Sequence, residues 1–89
     1  MMKERILVVV GENLRRIRKE KKLTIERLAM MSGVHKSYIS DLERGERNPT
    51  VVLLDRLAYA LQIDPRELLD KGKSPTELAK DPFIDLRIY

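Results

Sequence analysis

Lys36, Ser37, Ser40 and Asp41 crowd into one short stretch of this 89-residue chain, and between them they carry the chemistry that reads the edges of base pairs. A serine hydroxyl bonds to any base, an aspartate accepts from cytosine N4, and a lysine donates to guanine O6 or N7. Such groups discriminate only when a rigid element offers them together on one side. Turning the segment by about 100° per residue, with Ile39 and Leu42 as its buried side, puts Ser37, Ser40, Asp41 and Arg44 outward. Glu43 falls at the edge of the inner side, and Lys36 and Tyr38 on the two flanks. On a solitary amphipathic helix this face would be ordinary solvated surface.

The elements that precede it shift that balance. Thr24 stands where an N-cap belongs, with Leu23 and Leu28 placed to close a hydrophobic staple, so a helix is predicted from about Ile25. Leu28 and Ala29 form its inward side, and Gly33 follows where a C-cap of positive φ is wanted, which ends the helix near Ser32. Val34 and Ile39 repeat the staple around His35, and a second helix runs to about Arg44 before Gly45 stops it. Two short helices across one tight turn are the smallest device that presents a helix to the major groove of duplex DNA.

The stretch LRRIRKEKKLTIERLAMMSGVHKSYISDLERGERNPTVVLLDRLAYALQIDPRELL resembles the Cro/repressor-type, or Xre-like, helix-turn-helix family over about 55 of the 89 residues. Within it, YIS followed by LERGERNP is similar to the controller proteins of restriction-modification systems. The resemblance implies a compact bundle of five helices whose third reads DNA. It places Lys36, Ser37, Ser40 and Asp41 at base-reading positions, Tyr38 at one that reads bases in the controller-like branch, and Arg44, Arg47 and Asn48 in the phosphate-holding region. It also pairs Arg18 with Glu43, tying the first helix to the third. One residue departs from the pattern: Ile25 stands where many members carry a phosphate-clamping Gln. Either Thr24, Arg27 and backbone N–H groups take over that phosphate, or affinity is lower. Two-fold dimers in the family form around the fourth and fifth helices, which implies recognition helices about 34 Å apart, one turn of DNA.

Composition agrees with a polyanionic partner. The net charge is +4, and residues 1–48 carry 12 Lys or Arg against 7 Asp or Glu, whereas residues 49–89 carry 6 against 7. Positive charge thus collects in the half that holds the motif. With no Cys and one His, the chain has no disulfide framework and no residue set for a thiolate or histidine metal site. The longest apolar run, Ile6–Val10, is too short to span a bilayer, and no cleavable signal pattern follows the start, so a cytoplasmic location is expected. No Ser/His/Asp or Cys/His set, phosphate-cradling glycine loop or paired carboxylates suggest an enzyme, and no cofactor is expected.

Elsewhere the pattern is helical with one ambiguity. Ile6, Val10, Leu14 and Ile17 form a helical stripe, but Gly11 weakens it, and Val8, Val9 and Val10 suit a strand equally well, in which case the helix starts only after Gly11. Asn48-Pro49 breaks the chain, Thr50 caps a fourth helix striped by Leu54, Leu57, Ala58 and Leu61, and Asp64-Pro65-Arg66-Glu67 reads as a capping box for a short fifth. Residues 71–89 lie outside the resemblance. Ser74-Pro75-Thr76-Glu77 is another capping box, and Ile84, Leu86 and Ile88 alternate with Asp85 and Arg87, either as a frayed terminus or as a short strand that pairs with its symmetry mate, or with residues 5–10, and reinforces the dimer. Deletion of residues 82–89 without change in sedimentation or melting excludes the strand.

The expected architecture is therefore all-α: a five-helix, repressor-like helix-turn-helix domain over residues 1–70 and a C-terminal extension over 71–89 for dimerisation. The expected function is a homodimeric transcription regulator on a near-palindromic operator. The alternative is an antitoxin or anti-repressor-like module that binds another protein through the same bundle and its extension.

Overall fold

The computed structural model describes residues 4–72. They form five helices: α1 (Arg5–Glu20), α2 (Ile25–Ser32), α3 (Lys36–Glu43), α4 (Val51–Leu61) and α5 (Arg66–Leu69), with no strand among the described residues. Residues 5–10, which suited strand and helix alike, are helical, because Val10 must bury in phase with Leu14 and Ile17, at 2%, 0% and 4% exposure. Ile6, in the first turn, stays 43% exposed. The helix and alternating segment expected beyond Ser74 lie outside the described residues, and the pairing of a C-terminal strand with residues 5–10 is excluded because those residues use their backbone hydrogen bonds within α1.

Local chemistry sets the boundaries. Thr24 Oγ1 accepts from the Arg27 N–H at 3.0 Å, and Thr50 Oγ1 accepts from the Leu53 N–H at 3.1 Å. The short α5 is started by a reciprocal box: Arg66 N–H donates to Asp64 Oδ1 at 2.8 Å, and Asp64 N–H donates to Glu67 Oε2 at 3.1 Å. Gly33 ends α2 in the left-handed region at φ 72°, where a Cβ would be strained. Two other turns use that region without glycine, at Lys22 (φ 59°) and Gln62 (φ 57°).

Every helix contributes to the core. Leu14 of α1, Leu28 of α2, Ile39 and Leu42 of α3, Leu57 and Leu61 of α4 and Leu68 of α5 are fully buried, each stabilising the bundle by about 1.5–3 kcal/mol through apolar burial. α1 packs on α3 and α5, and α2 on α3 and α4, so α3 is held from two sides and its remaining side faces out. Asn13 of α1 completes the assembly: its Nδ2 donates to Leu68 O at 3.0 Å and Asp70 O at 2.6 Å, while its Oδ1 accepts from Arg16 Nη2 at 3.2 Å.

Candidate nucleic-acid interface

α3 starts on His35, whose Nδ1 accepts from the Ser37 N–H at 3.1 Å. The Ser37 hydroxyl lies 2.8 Å from the same nitrogen. With Nδ1 acting as acceptor, the neutral ring carries its proton on Nε2, and Ser37 points its own proton inward with its lone pairs open. Ile39 and Leu42 lock the opposite side into the core at 0% and 1% exposure. Lys36 and Ser37 are exposed, and Tyr38, Ser40 and Asp41 partly so.

Beside this face lies an open cleft of about 470 Å³, walled by Arg18, Thr24, Ile25, Glu26, Lys36, Ser37 and Ser40. It joins the start of α2 to the polar side of α3. The first N–H groups of α2, on Ile25 and Glu26, have no acceptor within the helix. Thr24 Oγ1 uses a lone pair on Arg27 N–H, which leaves its own proton free to donate. Ile25 lines the cleft as an apolar residue and packs partly against the core, so its side chain offers no hydrogen bond there. Arg27 is exposed alongside.

At the other end of α3 the polar residues are tied to one another. Asp41 Oδ1 accepts from Arg44 Nη2, and its Oδ2 accepts from Arg47 Nε at 3.2 Å. Arg44 also donates from Nη1 to Ser40 Oγ at 2.7 Å and from Nε to Glu46 Oε2 at 3.0 Å. The Arg47 guanidinium sits 4.9 Å from the centre of the Tyr38 ring, a cation–π contact. Arg44 is held above the ordinary arginine value, first by its bond to Glu46. Asn48 is exposed just beyond. The structure therefore brings Tyr38, Ser40, Asp41, Arg44 and Arg47 into one network and leaves Lys36, Thr24 and Arg27 outside it. Glu46 is a member that sequence reasoning overlooked, although its place two residues after Arg44 was a usable signal.

Beneath the face, Arg18 and Glu43 meet in a two-pronged pair: Nε to Oε2 at 2.6 Å and Nη2 to Oε1 at 3.0 Å. The side chains are 10% and 6% exposed. Arg18 Nη1 also donates to Leu23 O at 2.8 Å, so one guanidinium fastens the α1–α2 turn and α3 together. The Glu43 hydrogen bond, ahead of the opposing cost of burial, raises the Arg18 pKa. Among the described residues no group of His, Cys, Asp and Glu is arranged to hold a metal ion, and no helix is long and apolar enough to cross a membrane.

A helix-turn-helix family model matches residues 14–68. The chain is 49% identical over 75 residues to an uncharacterized HTH-type transcriptional regulator, y4dJ, of Sinorhizobium fredii, covering 84% of this chain and 90% of the relative. The crystal structure of the restriction-modification controller protein C.AhdI from Aeromonas hydrophila is similar at a TM-score of 0.68 and 48% identity, covering 70% of this chain and 94% of that one. The tetramer of the controller protein C.Esp1396I in complex with its natural 35-base-pair operator is similar at a TM-score of 0.66 and 31% identity, covering 75% and 99%.

Proposed function

The chain belongs to the Xre-like helix-turn-helix family, and from that premise we propose that it is a sequence-specific DNA-binding transcription regulator that occupies a near-palindromic operator as a homodimer. The observation that carries this reading is the outward side of α3, polar and uncovered, with hydrogen-bonding groups at the start of α2 on one flank and two arginines on the other.

Binding anchors phosphates at both flanks and reads bases between them. At the start of α2 the Thr24 hydroxyl, the N–H groups of Ile25 and Glu26 and the Arg27 side chain take one phosphate, in the favourable field of a helix N-terminus. At the far end Arg44, Arg47 and Asn48 take others. Between them Lys36 donates to guanine, Ser37 and Ser40 bond to base edges, and Tyr38 supplies a flanking contact. Asp41 joins the readout by exchange. As phosphates draw off its arginines, the carboxylate is freed to accept from cytosine N4.

Dimerisation follows from α4 and α5. Val52 and Tyr59, seven residues apart on one side of α4, are 68% and 84% exposed, and Leu69 of α5 is 45% exposed. Covering them with a second copy removes that apolar surface from water. The role is non-enzymatic and cytoplasmic, over a domain of residues 1–70, with residues 71–89 assisting association.

Selection of bound duplexes from a random pool, followed by a salt titration, tests the reading. Enrichment of an inverted repeat whose affinity falls steeply with salt is the expected result. Failure to enrich any sequence overturns it in favour of a protein-binding module.

A further inference from the structure

Gly11 lies in the interior of α1, where its own backbone is helical and nothing about φ calls for glycine. Glycine weakens a helix there, so the reason must lie in what faces it. A Cβ added at Gly11 would stand 2.4 Å from Leu42 O, 2.8 Å from Glu43 O and 3.0 Å from Glu43 C. All three are backbone atoms of the last turn of α3, well inside van der Waals contact and unable to swing aside.

Seven residues further along the same side of α1, Arg18 grips the carboxylate of Glu43. α1 therefore holds the end of α3 at two points, once by bare backbone and once by a forked ion pair. We propose that Gly11 is a positioning residue for DNA readout: its missing side chain sets the depth and tilt at which α3 offers Lys36, Ser37 and Ser40 to the groove. This rests on the DNA-binding reading given above.

The consequence is a split between two kinds of affinity. With a side chain at position 11 the end of α3 must move by several tenths of an ångström or more, pivoting about the Arg18–Glu43 pair. Bonds to base edges are short and directional, so they are lost with such a shift. The phosphate contacts proposed for the long Arg44 and Arg47 side chains follow it. A merely structural role for Gly11 would instead lower the folded fraction and weaken every duplex in parallel.

The test compares full-length wild type and Gly11→Ala on the selected operator and on a scrambled duplex of equal length, across a salt series, with helicity checked by circular dichroism. We expect the ratio of specific to non-specific affinity to fall by at least about tenfold, with the scrambled-duplex affinity and salt slope unchanged. A folded variant whose ratio equals that of wild type, or whose two affinities fall together, overturns the proposal. If Gly11→Ala does not fold in buffer, the same comparison is run for both proteins in trimethylamine N-oxide, which favours the folded state. A variant that folds there with a wild-type ratio overturns the proposal, and so does failure to fold even there, because glycine then serves the fold alone. A wild type that prefers no duplex at all overturns the DNA-binding reading itself, and this one with it.

Discussion

At the scale of single residues, Asp41 has the most to say about how the face works. Its carboxylate accepts from Arg44 and Arg47, so it restrains two cations, and the proposed function gives it a second duty at a base edge. The two duties predict effects of opposite sign from one substitution. Asp41→Ala is expected to raise affinity for any duplex, because Arg44 and Arg47 each lose one restraint and a negative charge is removed from the approach. It is expected at the same time to erase a preference of about 1–3 kcal/mol at one base pair. Binding titrations on an operator and its single-base variants check both. His35 shows a similar economy, capping α3 through Nδ1 while it aligns the Ser37 hydroxyl. The sequence placed His35 before the helix, but which nitrogen faces Ser37 depends on the folded turn.

Between elements, the decisive contact is the pair joining α1 to α3. Glu43→Ala strands the Arg18 guanidinium at a site where little of either side chain is exposed, and is expected to cost about 3–5 kcal/mol of stability. Replacing both partners with Met and Leu is expected to restore most of that loss, since no buried charge remains. Chemical denaturation of the single and double variants measures the difference. At the start of α5, Asp64 is held below the usual carboxylate range by the Arg66 side chain and then by the Arg66 N–H. Because the folded value is depressed, its contribution is present above the ordinary carboxylate value and is lost as pH falls through the lowered one. Asp64→Asn keeps a capping side chain and removes only the charge. It is expected to melt slightly below wild type at neutral pH and level with it in acid, below the carboxylate range, the effect being small because the site is solvated.

Residues 4–72 form a small bundle, and a core of this size is only marginally stable alone. α1 touches both α3 and α5, and Asn13 pins the chain leaving α5 by two hydrogen bonds. A dimer formed on α4 and α5 would thus transmit its geometry to α3 through α1, fixing the spacing between two recognition helices. Tyr59→Asp, at an 84% exposed position, is expected to leave monomer stability within about 0.5 kcal/mol while shifting sedimentation toward monomer. Operator affinity is expected to fall with it, and half-site affinity to persist. A variant that still sediments as a dimer would move the interface elsewhere.

What the residues determined unaided is local. Thr24, Thr50 and Asp64 mark helix starts because a cap acts within three residues, and Leu28, Ile39, Leu42 and Leu57 declare their burial through a period that every helix shares. The polar side of α3 follows from the same rotation. Apart from the Arg18–Glu43 pair, which the family resemblance implied, contacts between segments distant in the chain were decided only by tertiary structure. Residues 5–10 became helix because Val10 had to join a core completed by later helices. Gly11, a weakness along α1, has its reason in the carbonyls of Leu42 and Glu43, and Asn13 finds its acceptor 55 residues away. The turns at Lys22 and Gln62 adopt positive φ without glycine and close the ends of α1 and α4 by backbone hydrogen bonds, Leu23 N–H to Arg18 O and Ile63 N–H to Ala58 O, which no residue type at those positions announces.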